Sequence, residues 1–505
     1  MIVERKLNLI LMPFLFLIFF LYPKNFSDLS LDEFKHLFEN SANKKLLLQE
    51  YLEFMVEEDG EVNSIISLYD ANILYRDFIY ARRSPWQGVP IVIKDNIDSA
   101  GLANTAGSLA LTDNFPRDDA HIVKLLKRAG FLVVGKANLS EWANFRGNPS
   151  TSGWSSYGGQ TTNAYNSKYN PCGSSSGSAA AVALGIVPVS IGTETNGSIS
   201  CPAAINGVVG IKPTVGLVSR DGIIPISETQ DTAGPMARNV HDAAQVLHAI
   251  SGKDVKDSAT ANIPKNYNYQ ALIELDSTYL NGKRIGLLRN GEESEIQQKL
   301  LSKVEAVLTT KGAIVLDVSF EISSNYKWDN EYYVLLYQFR EGLNNYLRTA
   351  NSRMKNLDQL IEFNEENSKT VLQHFGHEIF LESQQAQDEE KYLRALEIIT
   401  NRSRNQIDSL LESKALDALV GLTRNPAWKT DLKNGDSRGD EEVWATGGLS
   451  AVAGYPHITI PLDLVNGFPV GVSFLASAWE EAKLINMAYS FEDQNSFYPR
   501  PKNTN

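Results

Sequence analysis

The sequence predicts an α/β protein in which helices cover a β-sheet, and three observations predict it. Apolar β-branched runs alternate with helical stretches: 88–96 (GVPIVIKDN) reads as a strand, 119–129 as a helix stopped by Gly130, and 131–134 as a strand. A Gly/Ser-rich loop at 173–177 (GSSSG) leads into a short Ala-rich helix and then a mostly apolar run at 186–191, which repeats the alternation. Finally, 505 residues with 43% hydrophobic and 21% charged content allow one large globular core.

The elements follow in order. Residues 29–58 read as one or two amphipathic helices, with Leu31, Phe34, Leu37 and Phe38 at helical spacing. A strand is expected at 62–68, then a helix through 82, then the strand that ends in Lys94. The stretch 138–159 reads as a long loop carrying Trp142, Phe145 and Trp154, which either line a pocket or anchor the loop in the core. Ser178 is the expected cap of the Ala-rich helix, which closes near Gly185. Further strands are expected at 208–211, 283–288, 313–318 and 416–420, with helices at 241–250 and 295–311. Residues 330–413 are mostly helical in pattern, and 434–442 is a charged loop. Three last stretches, 444–454, 456–462 and 468–474, should complete the sheet, and the tail from 494 is expected to be disordered.

A net charge of −13 and a pI near 5.2 argue against nucleic acid or anionic membrane surfaces as partners. The two cysteines, Cys172 and Cys201, flank the two serine-bearing loops described below. They are read as small buried residues, with a disulfide between neighbouring loops left open. His374 and His377 are three apart but have no evident third ligand, so a helix face is expected rather than a metal site. No cofactor is expected. The N-terminus is different: Arg5 and Lys6 precede an apolar run at 7–22, interrupted only by Asn8 and Pro13. This suits a signal peptide or an uncleaved anchor within residues 1–28, so an exported, periplasmic or secreted protein is expected, touching a membrane only through this segment. Residues 29–505 are expected to form a single domain.

The chemistry gathers between 171 and 213. The loop 193–198 (TETNGS) contains Asn196-Gly197, which tolerates positive φ, so successive N–H groups can face one point beside the Ser198 hydroxyl. Donors aimed at a developing alkoxide next to a nucleophile are what acyl transfer requires. The earlier loop also fits G-x-S-x-G with Ser175 as nucleophile. That elbow needs a buried strand before it, and 161–170 (TTNAYNSKYN) is polar and turn-rich. A serine needs a base, and Lys94, if its strand is central, is desolvated enough to work as a neutral amine.

Taken together, the G-x-P-x-x-x-K-D strand at 88–95, the Gly/Ser loop and a second serine 24 residues after Ser174 resemble the amidase signature family. The resemblance covers nearly the whole chain after residue 30. It implies a large mixed β-sheet with helices on both faces. It also implies Lys94 as base, Ser174 as a relay with a cis peptide bond, Ser198 as nucleophile, and the backbone amides of Thr195, Asn196, Gly197 and Ser198 as the oxyanion hole. The region 330–413 would shape or cap the substrate pocket. Segments 218–225 and 231–238 would brace the catalytic loops, with Arg220, Asp231 and Arg238 read as structural ion pairs rather than substrate contacts.

Segments 139–148 (LSEWANFRGN), 171–178, 192–195, 219–227 and 451–456 resemble the peptide-amidase branch of the family, whose substrate is the C-terminal amide of a peptide. Two departures bear on the substrate. Ser176-Gly177 replaces the common Gly-Gly, and Ser200 replaces an arginine common two residues after the nucleophile, which argues against a carboxylate-bearing substrate. The alternatives are a fatty-acid or other small-amide hydrolase, or an amidotransferase A-type subunit.

Overall fold

The computed structural model describes residues 26–81, 83–320, 328–436 and 446–501. The expected leader at 7–22 and most of the charged loop 434–442 lie outside the described residues. The strands are β1 (Ile65–Leu68), β2 (Pro90–Lys94), β3 (Leu132–Ala137), β4 (Trp154–Ser155), β5 (Gly159–Gln160), β6 (Val189–Glu194), β7 (Val209–Lys212), β8 (Thr232–Ala237), β9 (Arg284–Leu288), β10 (Ile314–Val318), β11 (Ala418–Leu422), β12 (His457–Val465) and β13 (Phe468–Leu475). β4 and β5 form a small separate hairpin, and the other 11 make one mixed sheet in the order β1-β3-β2-β6-β8-β7-β12-β13-β11-β9-β10. β3, β2 and β6 run parallel, as do β11, β9 and β10, while the middle of the sheet is antiparallel.

Burial decides where the continuous apolar runs go. All five residues of β2 and all six of β6 are buried, as interior parallel strands covered on both faces require. The edge strands β1 and β10 are only partly covered, and Ile314 on β10 is exposed. The helices Ser176–Ala183 and Ser200–Asn206 pack on the sheet beside each other, whereas His121–Ala129, Val240–Ile250 and Glu481–Asn495 form a second group. The result is the expected α/β architecture, a large mixed sheet with helices over both faces.

Residues 328–413 fold into five helices, Trp328–Thr349, Leu357–Glu366, Ser368–Val371, Glu378–Gln385 and Glu389–Ser413. Their apolar faces share a core with the site loops: Phe339, Leu343 and Phe380 cluster with Trp142, Phe145, Ile224 and Ile226. Trp142 packs edge-on to Phe380 with centroids 5.4 Å apart, and Phe145 lies 5.0 Å from Phe339. The aromatic loop is therefore anchored in the core.

Four expectations need correction. The Ala-rich helix starts at Ser176, and Ser178 is no cap: its hydroxyl donates to the Ile191 carbonyl at 3.0 Å. The strand expected at 186–191 begins only at Val189, because the chain first turns through Gly185 and Pro188. Within 444–454 the described residues form a helix, Gly448–Ala453, ended by Gly454 at φ 73°, whose N–H is bonded to helix carbonyls. The tail is held through Pro501: Asn495 Nδ2 donates to the Pro461 and Leu462 carbonyls, and Arg500 donates to the Ser27 carbonyl.

Candidate active site

Lys94 closes β2 in the sheet interior, and its side chain is completely buried. Its Nζ lies 2.7 Å from Ser174 Oγ, 3.1 Å from the Thr193 carbonyl oxygen and 2.9 Å from Thr193 Oγ1. All three partners are neutral oxygens. Burial drives its pKa down to about 7, against the upward pull of Asp231 and Glu194. A second lysine nearby behaves differently: Lys136 on β3 is also fully buried but sits 3.0 Å from the Asp95 carboxylate. Of the two, only Lys94 touches a serine hydroxyl.

Ser174 follows a cis peptide bond after Gly173 and is fully buried. Its neighbour Ser175 fastens this loop to β6, donating to the Thr193 carbonyl at 3.0 Å and accepting the Thr193 N–H at 3.1 Å. That approach needs Gly192, since a Cβ there would stand 2.7 Å from Ser175 Oγ. No described strand runs directly into the loop, so the elbow reading of Ser175 lacks its strand here too.

β6 delivers the chain into residues 195–198, which are half-buried beside a cleft. Ser198 occupies this loop, and its carbonyl accepts the Ser175 N–H at 3.1 Å, so the two serine loops meet. Among the described hydrogen bonds none joins the Ser174 and Ser198 hydroxyls. Nor does any engage the N–H groups of Thr195, Asn196, Gly197 and Ser198. Gly197 takes φ 83°, and nothing lies within 4 Å of where its Cβ would be, so this glycine serves conformation and not close packing.

The loop is braced from several sides, by Glu194, which the sequence did not single out, and from the segment 231–238 that was expected to brace it. Glu194 Oε2 accepts the N–H of Ile199 at 2.7 Å and of Ser200 at 2.9 Å, and the Ser200 hydroxyl at 3.2 Å. It thereby caps the helix that leaves the loop 195–198. Asp231 accepts the Thr195 hydroxyl at 2.6 Å and the N–H groups of Ile226 and Ser227 at 2.7 and 2.8 Å. Asp231 is thus a loop brace, and no ion pair among the described residues includes it. Arg220 does form one, its guanidinium meeting Asp257 through two nitrogens at 2.8 and 2.6 Å. Arg238 Nε donates to the Val182 carbonyl at 3.3 Å.

The cleft has a volume of about 190 Å³ and reaches Ser174, Thr193 and Thr195 at its base. Ile224 and Ile226 form an apolar wall, with Arg220, Lys256 and Glu228 also on the lining. Cys172 and Cys201 form a disulfide that ties the residue before Gly173 to the helix after Ser198. Both are buried as expected, and the pairing that the sequence left open is present. The two loops are close enough for the pair, with Cα atoms 6.0 Å apart. His374 packs edge-on against Trp154, and no group of three potential metal ligands occurs among the described residues.

A family model described as Amidase matches residues 48–485. Among solved structures, peptide amidase from Stenotrophomonas maltophilia superposes with a TM-score of 0.88 at 41% identity, covering 95% of this chain and 100% of that one. A probable amidase of Arabidopsis thaliana is 36% identical over 92% of this chain and 89% of its own length. The A-type subunit of glutamyl-tRNA(Gln) amidotransferase from Methanococcoides burtonii is 33% identical over 81% of this chain and 85% of its own.

Proposed function

This chain belongs to the amidase family and is a hydrolase of carbon–nitrogen bonds; on that premise we propose that it removes the C-terminal amide of peptides, giving the free acid and ammonia. The observation that carries the reading is a completely buried Lys94 amine 2.7 Å from Ser174 Oγ, on a cleft that Ser174 and Thr195 line, next to the loop 195–198, whose four N–H groups no described hydrogen bond engages. The partners of Lys94 suit an uncharged amine. In this reading two N–H groups stay on the Thr193 carbonyl and hydroxyl oxygens, and the lone pair of the neutral amine takes the proton of Ser174, whose Oγ lies 2.7 Å away.

In this mechanism Ser198 turns toward Ser174, passes its proton through Ser174 to Lys94, and attacks the amide carbon. The negative oxygen of the tetrahedral intermediate is held by amides of 195–198. The proton returns through the relay to the leaving nitrogen, ammonia departs, and water repeats the sequence on the ester. Peptide amides are favoured over other amides by the long similarity to peptide amidase and by an apolar wall suited to a penultimate side chain.

The same proposal has residues 29–505 acting as one unit, with 330–413 shaping the pocket. It also has the enzyme exported, for which the apolar run at 7–22 and the Cys172–Cys201 disulfide are the support. No described helix is long and apolar enough to cross a membrane. The test is ammonia release from peptide amides, free amino-acid amides, fatty amides and glutamine, by wild type and by Ser198→Ala and Lys94→Ala. Peptide amides should be turned over fastest, and each variant should lose at least about a thousandfold. Preference for glutamine or fatty amides would overturn the substrate, and near-normal turnover by either variant would overturn the roles.

A further inference from the structure

The helical region 328–413 lies far in sequence from the catalytic loops, yet one of its side chains reaches the loop that carries the nucleophile. Glu331, in the first turn of the helix Trp328–Thr349, is completely buried. Its Oε1 accepts Asn196 Nδ2 at 2.8 Å and Gln230 Nε2 at 3.2 Å. Gln230 Nε2 also lies 3.4 Å from the Thr195 carbonyl oxygen. A trans peptide points its C=O and N–H in opposite directions, so holding the Thr195 carbonyl on the Gln230 side turns the Asn196 N–H the other way. One residue on, Gly197 has the backbone freedom to let the loop collapse if that hold is released.

A second tether runs from the same helix. Gln338 Oε1 accepts the Ser227 and Thr229 hydroxyls, while its Nε2 donates to the Tyr392 hydroxyl at 2.9 Å. Ser227 N–H in turn donates to Asp231, which accepts the Thr195 hydroxyl. One helix outside the sheet therefore holds Asn196 directly and Thr195 through Ser227 and Asp231. We propose that Glu331 is a positioning residue for the oxyanion loop, acting through Asn196 and Gln230, so that the helical region sets the rate of acyl transfer and not only the choice of substrate. This rests on reading residues 195–198 as the oxyanion hole.

The experiment measures kcat and KM for ammonia release from a peptide amide, and the rate constant for phosphonylation by a fluorescent fluorophosphonate, which needs no knowledge of the substrate. Variants are Glu331→Ala, Glu331→Gln, Asn196→Ala, the double variant and Ser198→Ala. Losing one oxyanion donor costs about a hundredfold or more in kcat, so its misalignment should cost Glu331→Ala roughly tenfold to a hundredfold, with KM within about threefold. Phosphonylation should slow in parallel. Glu331→Gln keeps an acceptor oxygen and should recover most of the rate. In the cycle, Asn196→Ala added to Glu331→Ala should cost little more. The inference is overturned if Glu331→Ala stays within twofold in kcat, if Asn196→Ala does, or if the two losses multiply. Should Glu331→Ala not fold, Asn196→Ala and Glu331→Gln decide the matter: a normal rate in Asn196→Ala overturns it. Undiminished labelling of Ser198→Ala would instead sink the underlying site assignment.

Discussion

Replacing Asp231 by asparagine should move the acid limb of the pH–rate profile toward lower pH. In the proposed mechanism Lys94 must be neutral to accept a proton, and burial holds its pKa at about 7 instead of the ordinary 10.5. At pH 7 about half the enzyme then carries a usable base, whereas an unshifted lysine would leave about one molecule in 3,000 so prepared, a difference of about 5 kcal/mol. Asp231 and Glu194 oppose that shift, because a nearby negative charge favours the ammonium. Removing the Asp231 charge leaves desolvation less opposed, so the Lys94 pKa falls further, by about one pH unit. The assay is kcat/KM for a peptide amide from pH 5 to 9 at constant ionic strength. Wild type should rise through an apparent pKa near 7, and Asp231→Asn through one lower, with a reduced plateau because Thr195 loses its brace. A wild-type limb above pH 9, or a variant limb that stays put or moves alkaline, would refute the reasoning.

The remaining predictions concern stability. Lys94 has a lowered pKa in the folded state, so its penalty is full below about pH 7 and fades as pH rises toward 10.5. Lys94→Met should therefore be more resistant to urea at pH 7, by up to about 5 kcal/mol less the hydrogen bonds it forfeits, with the gap closing near pH 10; a pH-independent gap would contradict this. Glu194→Ala strands two buried N–H groups and should lower stability by about 2–5 kcal/mol in urea unfolding, while a change below about 0.5 kcal/mol would count against its capping role. The disulfide joins residues 29 apart, so reduction should cost about 3–4 kcal/mol by the chain-entropy model. Coincident unfolding curves with and without reductant, or two titratable thiols in the unreduced protein, would show that the bond does not form.

Much of the candidate site was legible because each of its parts sits in a short stretch with a clear pattern. The strand ending in Lys94 is a continuous apolar run because both its faces are covered, and such runs announce themselves. The two serine loops are joined by one helix and one strand, so their spacing carries the geometry. The strand Thr232–Ala237 was harder to see, since Gly234 and Pro235 interrupt any β pattern and only its two flanking strands define it. Ser178 misled because a serine before an Ala run looks like a cap, whereas tertiary packing places its hydroxyl on the Ile191 carbonyl. Glu194 and Asp231 act by accepting backbone N–H groups, a role that leaves no spacing rule behind. Glu331 lies 135 residues from Asn196, and no periodicity links them.

The central claim is that Ser198 carries the acyl group while Lys94 supplies the base. Intact-protein mass spectrometry after rapid quenching of enzyme with a slowly turned-over peptide ester, followed by peptide mapping, tests it most directly. The account predicts an added acyl mass on the peptide containing Ser198, absent in Ser198→Ala and slow to form in Lys94→Ala. An acyl group on Ser174, on Ser175 or on any other residue would contradict it.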